Sequence, residues 1–359
     1  MSSPSTTVQG QAVTFDKYGG PLKLSPLQLK ALEENEILVR VHAASVNPID
    51  FKRAAGMTKM FITDTLPNAK VCFDVAGVVV QSTSPKFKAG DRIVARSKES
   101  GTMADYCVVT EDVTVHLPEA VSFVDAAAVP LAGQTALQAF QLGGFKEGQS
   151  VLISGGAGGV GTYALQLAKH VFKASRVVTS CSGKKIDYCK SLGADECLDY
   201  TTSKYSSLQS GGKFDFIFDT VGTAQEMCSA KLIKPGGKIV SIASIPDSGI
   251  FTRAGMPSGV VLRGALHVLS TRLRWTASPG EYLGLFLRPN AKDLGDLVGY
   301  LEDGRLRSPI ETVYQGLDKA PEAFDKLKQG RVQGKLVVCP VQAPPAVGEE
   351  EPSEVLQTA

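Results

Sequence analysis

No CxxC pair, no HExxH segment and no closely spaced array of four metal-ligating residues occurs in this chain. Its seven cysteines, at positions 72, 107, 181, 189, 197, 228 and 339, write neither a structural zinc lobe nor a disulfide scaffold, and so point to a reducing compartment. The four histidines, His42, His116, His170 and His267, are scattered and read as packing or surface residues. Apolar runs of about 20 residues are also missing, so no bilayer-spanning helix is expected. Met1 to Gly10 lacks both the apolar run of a secretory signal and the arginines of a transit peptide, from which a cytoplasmic location is expected. Charge of one sign is not in excess: 38 Lys and Arg stand against 36 Asp and Glu, a net +2, so neither nucleic acid nor an anionic membrane is expected as a partner.

What is present is an ordinary globular composition, 43% hydrophobic and 21% charged, over 359 residues, enough for two cores. Up to about residue 125 the chain alternates short β-rich runs (QAVTFD, EILVRVHAASV, VCFDVAGVVVQ, DRIVARS, ADYCVVT) with Gly, Pro and charged turns, which predicts a small, largely antiparallel, barrel-like unit. Helix-sized stretches begin near Ser122. From Ser150 the alternation is strand, helix, strand, helix, the succession that builds a parallel sheet. Residues 249 to 290, with the sole tryptophan Trp275, predict a further sheet edge and a substrate-facing loop. AKDLGDLVGYLEDG and PEAFDKLKQG read as helices, KLVVCP as a closing strand, and 342–359 as a disordered acidic tail.

The strongest local signal is VLISG followed by Gly156-Ala157-Gly158-Gly159-Val160-Gly161 and an alanine- and leucine-bearing helix. A buried strand, a tight glycine turn and a helix start together bring backbone N–H groups to a pyrophosphate without a lysine. The Gly-Lys-Ser/Thr ending of a nucleoside-triphosphate loop is absent, so a dinucleotide is expected. On the next strand no acid follows to take a ribose diol; instead Ser180-Cys181-Ser182-Gly183-Lys184-Lys185 appears. That pattern suits a 2′-phosphate and favours NADPH; the lesser alternative is that Lys184 and Lys185 only solvate a helix start. Asp219, after FDFIF, either touches a ribose or orients its loop through backbone hydrogen bonds.

Several further stations fall in a fixed order: Ser45-Val46-Asn47-Pro48-Ile49-Asp50-Phe51-Lys52, Asp74-Val75-Ala76-Gly77, Gly90-Asp91-Arg92-Ile93, Gly133-Gln134-Thr135-Ala136, the glycine turn, Ser191-Leu192-Gly193-Ala194-Asp195, and Gly330-Arg331-Val332-Gln333-Gly334-Lys335. With them the sequence resembles the medium-chain dehydrogenase/reductase superfamily, in its zinc-independent quinone oxidoreductase and enoyl (alkenal) reductase branch, from Gln11 to Pro340. The resemblance implies an α/β chain with a GroES-like, partly open β-barrel catalytic domain, split into 1–125 and 301–341. A Rossmann-type doubly wound nucleotide-binding domain, 126–300, would lie between the two parts. Where zinc-dependent members carry Cys and His-Glu ligands, this chain has Ser45 and Phe73-Asp74, so no metal is expected.

The resemblance further implies catalytic roles for Lys52, Asn47 and Thr135, and places Ser182, Lys185 and Tyr200 at the 2′-phosphate, with Ser180 and Lys335 also on the cofactor side. The implied reaction passes hydride from NADPH to the C=C of an enal or enone, or to a quinone, with Lys52 as the donor to the carbonyl oxygen. Alternatives are a trans-acting enoyl reductase that meets an acyl-carrier protein in a polyketide pathway, a one-electron quinone reductase, and a dinucleotide-binding structural or regulatory protein with little catalysis. A homodimer is the family expectation.

Overall fold

A computed structural model describes residues 8–59, 64–229, 231–243 and 279–340. Most of the 249–290 stretch, including Trp275, and the 342–359 tail therefore lie outside the described residues.

The β-rich runs form β1 (Gln11–Phe15), β2 (Lys23–Pro26), β3 (Glu36–Val46), β4 (Ala69–Lys70), β5 (Asp74–Ser82), β6 (Arg92–Arg96), β7 (Tyr106–Thr110) and β8 (Thr114–His116), interrupted by the short α1 (Pro48–Ala54). Strands β2, β1 and β4 make a small antiparallel sheet. The larger sheet runs β15-β16-β3-β5-β6-β8, with β7 also paired to β3; its first two strands, β15 (Ile310–Gln315) and β16 (Lys335–Cys339), come from the far end of the chain. Strand β16 lies antiparallel to β3, Val337 opposite Ser45, and this register carries Lys335 to the Ser45–Asn47 corner.

Two helices then cross to the second layer. α2 (Phe123–Ala127) starts at Ser122, whose Oγ accepts the Asp125 amide, and α3 (Pro130–Leu142) is buried on nearly all sides, as expected of a helix with apolar residues all round. Its buried glutamines are satisfied by α7 (Ala291–Glu302) and the segment before it: Gln138 donates to Asp293 at 2.7 Å, and Gln134 accepts from the Asn290 amide at 3.0 Å. Leu294, Leu297 and Val298 of α7 face the core at three-to-four spacing.

The second sheet comprises β9 (Ser150–Ile153), β10 (Arg176–Cys181), β11 (Glu196–Asp199), β12 (Phe214–Asp219), β13 (Ile233–Ser241) and β14 (Glu281–Gly284). Around it lie α4 (Gly159–Gln166), α5 (Ile186–Ser191) and α6 (Ala224–Ser229), while α8 (Ala320–Lys328) packs on the first sheet. All its pairings are parallel, in the order β11-β10-β9-β12-β13-β14. In chain order within this sheet that is 3-2-1-4-5-6, the doubly wound arrangement, whose switch point between β9 and β12 opens a crevice at the strands' carboxyl ends. The glycine turn follows β9 and so sits at that crevice.

Candidate active site

The turn is held by its neighbours on β10. The Gly156 amide donates to the Ser180 carbonyl at 3.0 Å, and the Gly155 amide to Ser180 Oγ at 3.1 Å. A Cβ at Gly161 would lie 2.2 Å from the Gly155 carbonyl oxygen, so only glycine lets the first turn of α4 close on the loop. Gly158, the residue before α4, has no side-chain acceptor, and no side chain caps the helix. A helix start offers its first amides outward; here the Gly158–Gly334 bridge engages the Gly159 side, and the amides of Val160 and Gly161 are the ones a helix start presents to an external acceptor. An uncapped cradle of this kind fits a pyrophosphate.

Asp219 takes the second of its two readings. Oδ1 accepts from Ser154 Oγ at 2.9 Å and from the amides of Gly222 and Thr223 at 2.9 and 3.0 Å, while Oδ2 accepts from Ser241 Oγ at 3.0 Å and the Ala224 amide at 3.2 Å. The carboxylate organises the loop into α6. Ser180 is likewise engaged, sharing a 2.7 Å hydrogen bond with the Tyr205 hydroxyl. Around the expected 2′-phosphate position, Ser182 lies half-buried just before the helical turn at Gly183–Lys185, and Tyr200 is 59% exposed after β11. Lys185 donates to the carbonyls of Arg331 and Val332, at 2.8 and 3.2 Å, and so ties β10's far end to the segment before β16.

That segment joins the turn to the other sheet. The Gly334 amide donates to the Ala157 carbonyl at 2.9 Å, and Gly334, at φ +79°, would place a Cβ 1.9 Å from the Pro309 carbonyl oxygen. Lys335, next in line, is 3% exposed and runs beneath Gly159. Its Nζ donates to Asn47 Oδ1 and to the Val46 carbonyl, and lies 3.9 Å from Asp74 Oδ2. Asn47 Nδ2 donates to Asp74 Oδ2 at 2.8 Å; Ser45 Oγ donates to the same oxygen at 2.9 Å, and the Leu131 amide to Oδ1 at 3.1 Å. The Asn47 amide hydrogen goes to Asp50 Oδ2 at 2.7 Å, at the start of α1.

Burial sets the electrostatics of this network. It pushes the Asp74 carboxyl up, against the opposing pull of the Lys335 charge and the bonds from Asn47 and Ser45. It pushes Lys335 down, against Asp74 and Asp50. Asp50, also wholly buried, is pushed up to about 7 by desolvation, and its Oδ1 has no polar partner. Thr135, 5% exposed, donates to the Leu131 carbonyl at 2.7 Å, one turn back in α3. Lys52 is on the exposed side of α1, apart from the buried network.

The structure thus brings Asn47 and Lys335 together against the glycine turn. Asp50, and Asp74 as the residue that orients Asn47, were not singled out from sequence. A carboxylate inside an otherwise apolar strand, as in VCFDVAGVVV, is a usable signal, because such a group persists only when charged partners and hydrogen bonds meet it. The positions of zinc-dependent ligands carry Ser45, Phe73 and Asp74, and no group of three or more His, Cys, Asp or Glu side chains suited to a metal occurs among the described residues.

Residues 33–119 match the alcohol dehydrogenase GroES-like domain and 192–338 the zinc-binding dehydrogenase family. Over 354 residues the chain is 34% identical to the 2-methylene-furan-3-one reductase of Solanum lycopersicum, covering 95% of this chain and 81% of that one. The chain belongs to the medium-chain dehydrogenase/reductase superfamily. Within this superfamily its relatives fall in the zinc-independent quinone-oxidoreductase and enoyl-reductase branch. It is 32% identical to the NADPH-dependent alkenal/one oxidoreductase of Arabidopsis thaliana, over 92% of this chain and 80% of that protein. The quinone oxidoreductase of Coxiella burnetii superposes with a TM-score of 0.76 at 29% identity, covering 92% and 99% of the two chains.

Proposed function

We propose that this reductase passes a hydride from NADPH to an α,β-unsaturated carbonyl or a quinone, with no metal at the reacting centre. What carries the proposal is the suture at Gly334-Lys335, which holds an uncapped phosphate cradle against the buried Asn47–Asp74–Lys335 network. Family membership and relatives named as alkenal and furanone reductases support the oxidoreductase chemistry. Bound NADPH supplies the hydride.

The chain's residues supply binding and charge. The Gly156–Gly161 turn presents the amides at the start of α4 to the pyrophosphate; Ser182, Lys185 and Tyr200 take the 2′-phosphate, Lys185 by turning from its carbonyl partners to a stronger, charged acceptor. Asn47, fixed by Asp74 and Lys335, positions the ring and substrate, with Thr135 beside it. Lys52, free to move at the surface of α1, reaches the carbonyl oxygen and stabilises the negative charge that grows there during transfer. In the same reading 1–125 and 301–341 form the substrate-side unit and 126–300 the nucleotide unit, and the chain works in the cytosol, consistent with six free thiols among the described residues. Two copies would associate through the outer edge of the parallel sheet at β14, which sedimentation at low concentration tests.

NADPH oxidation, followed across a panel of enals, enones, quinones and acyl-carrier thioesters, tests the activity. Saturable turnover on the first three classes is expected; NADPH binding with no turnover on any would overturn it. Lys185→Glu is expected to weaken NADPH about tenfold while leaving NADH nearly unchanged, since it replaces a charge-assisted bond by repulsion. Equal affinities of the unaltered protein for the two cofactors would remove the 2′-phosphate assignment.

A further inference from the structure

Three thiols converge beside the expected 2′-phosphate site. In the parallel β10/β11 pair Thr179 lies opposite Cys197, so Cys181, two residues on, shares the face of Cys197. α5 covers that face, and its Cys189 is fully buried against it. The Cys197 thiol donates to the Ile186 carbonyl at 3.8 Å, in the first turn of α5 and three residues before Cys189. Cys181 is 2% exposed, and only Cys197 is partly open to solvent. The neighbouring thiols and the charge of Lys190 pull the Cys197 thiol down. Nothing in the hydride-transfer site uses these groups.

We propose that Cys197 and Cys189 form a peroxide-sensitive dithiol that regulates dinucleotide binding. The Cys197 sulfur attacks one oxygen of hydrogen peroxide; the O–O bond breaks, the second oxygen leaves as water, and Cys197 becomes a sulfenic acid. Cys189 then gives up its proton and attacks the Cys197 sulfur; the S–O bond breaks and a second water leaves. Two thiols have lost two electrons to one peroxide, which yields one disulfide and two waters.

Cys189 is the partner because Cys181 and Cys197 stand diagonally on adjacent strands, which separates their Cα atoms by about 8 Å, from a strand spacing of about 4.8 Å and a two-residue rise of about 6.6 Å. That exceeds the roughly 7 Å a disulfide spans. Cys189 lies in α5, the helix whose Ile186 carbonyl accepts the Cys197 thiol, and so stands within a turn of it. The helical segment carrying Cys189 begins at Gly183-Lys184-Lys185, and Tyr200 follows Cys197 by three residues, so closing the bond displaces Ser182, Lys185 and Tyr200 together. This consequence rests on the 2′-phosphate reading above.

The test uses the full chain, oxidised with stoichiometric hydrogen peroxide, alkylated and mapped by mass spectrometry. A 189–197 disulfide is expected, with NADPH binding weakened about tenfold, equivalent to losing one charge-assisted phosphate bond, and restored by dithiothreitol. Cys197→Ser should abolish both effects, and Cys189→Ser should leave a trappable sulfenic acid on Cys197. A disulfide between other cysteines, or none, overturns the pairing. A 189–197 disulfide with unchanged NADPH affinity overturns the regulation. Unaltered protein that binds NADPH and NADH equally would sink the phosphate reading alone, because the mapped disulfide does not depend on it.

Discussion

The cofactor turn and the network beside it are built in opposite ways. From Ser154 to Gly161 the turn is consecutive chain, and its chemistry lies in backbone amides whose exposure is fixed by local geometry. The network instead joins Asn47 to Lys335 across 288 positions, and its chemistry lies in side chains that would be costly to bury singly. A cradle made of backbone tolerates any side chain that leaves its amides free. A buried ion network tolerates almost none, since removing one partner strands the other.

Lys335→Met should therefore have the largest effect. It keeps the apolar stem beneath Gly159 and removes the charge facing Asp74, which leaves a carboxylate buried with an unpaired charge. Breaking such a pair costs about 3–5 kcal/mol, to be read by denaturant unfolding. Unchanged stability would show that Asp74 is neutral in the folded protein and that the contrast with the turn is one of position only.

Lys52→Met probes the exposed end of the same region. Loss of a donor to the developing oxyanion slows the step by about 10²–10³-fold. With NADPH affinity unchanged, single-turnover oxidation at saturating substrate isolates that loss from product release. An unaltered hydride-transfer rate would remove Lys52 from the mechanism and leave polarisation to Asn47 and its neighbours. In the turn, Gly161→Ala brings a methyl to 2.2 Å from the Gly155 carbonyl oxygen and costs about 1–3 kcal/mol of overpacking. Its effect should fall on cofactor titrations more than on thermal stability; the reverse would make the turn a folding element first and a binding element second.

The same contrast explains what the sequence made legible. The VLISG strand, the glycine turn and the following helix could be read because strand, turn and amide donors are neighbours in the chain. The β-rich first unit and the α7 face of Leu294, Leu297 and Val298 followed from periodicity for the same reason. Asp219 left two readings open, because a carboxylate after a strand serves a ribose or a loop equally well until its partners are known; five or more hydrogens now point at it from Ser154, Ser241 and the 222–224 amides. The Asp50–Asp74–Lys335 arrangement was hidden because it depends on the register of β16 on β3, which no local pattern encodes. Lys335 was visible only as a station in the family order, and its burial under Asn47 is a property of the pairing.

Asp50 offers the finest test of the network, with the smallest expected effect. Desolvation raises its carboxyl from 3.8 to about 7, so between those values the folded protein keeps a proton that the unfolded chain has released. The folded state then binds more protons than the unfolded one, and stability falls as pH rises through this window, with no further loss above about 7. Asp50→Asn removes the titration while its Oδ1 can still accept the Asn47 amide hydrogen. Its stability relative to the unaltered protein should therefore improve from about pH 4 to about pH 7, although other groups tilt both curves alike. Parallel melting curves for the two proteins would mean that Asp50 is already ionised when folded, held by Lys335 across the cluster, and that the buried network carries two negative charges where the raised Asp50 value implies one.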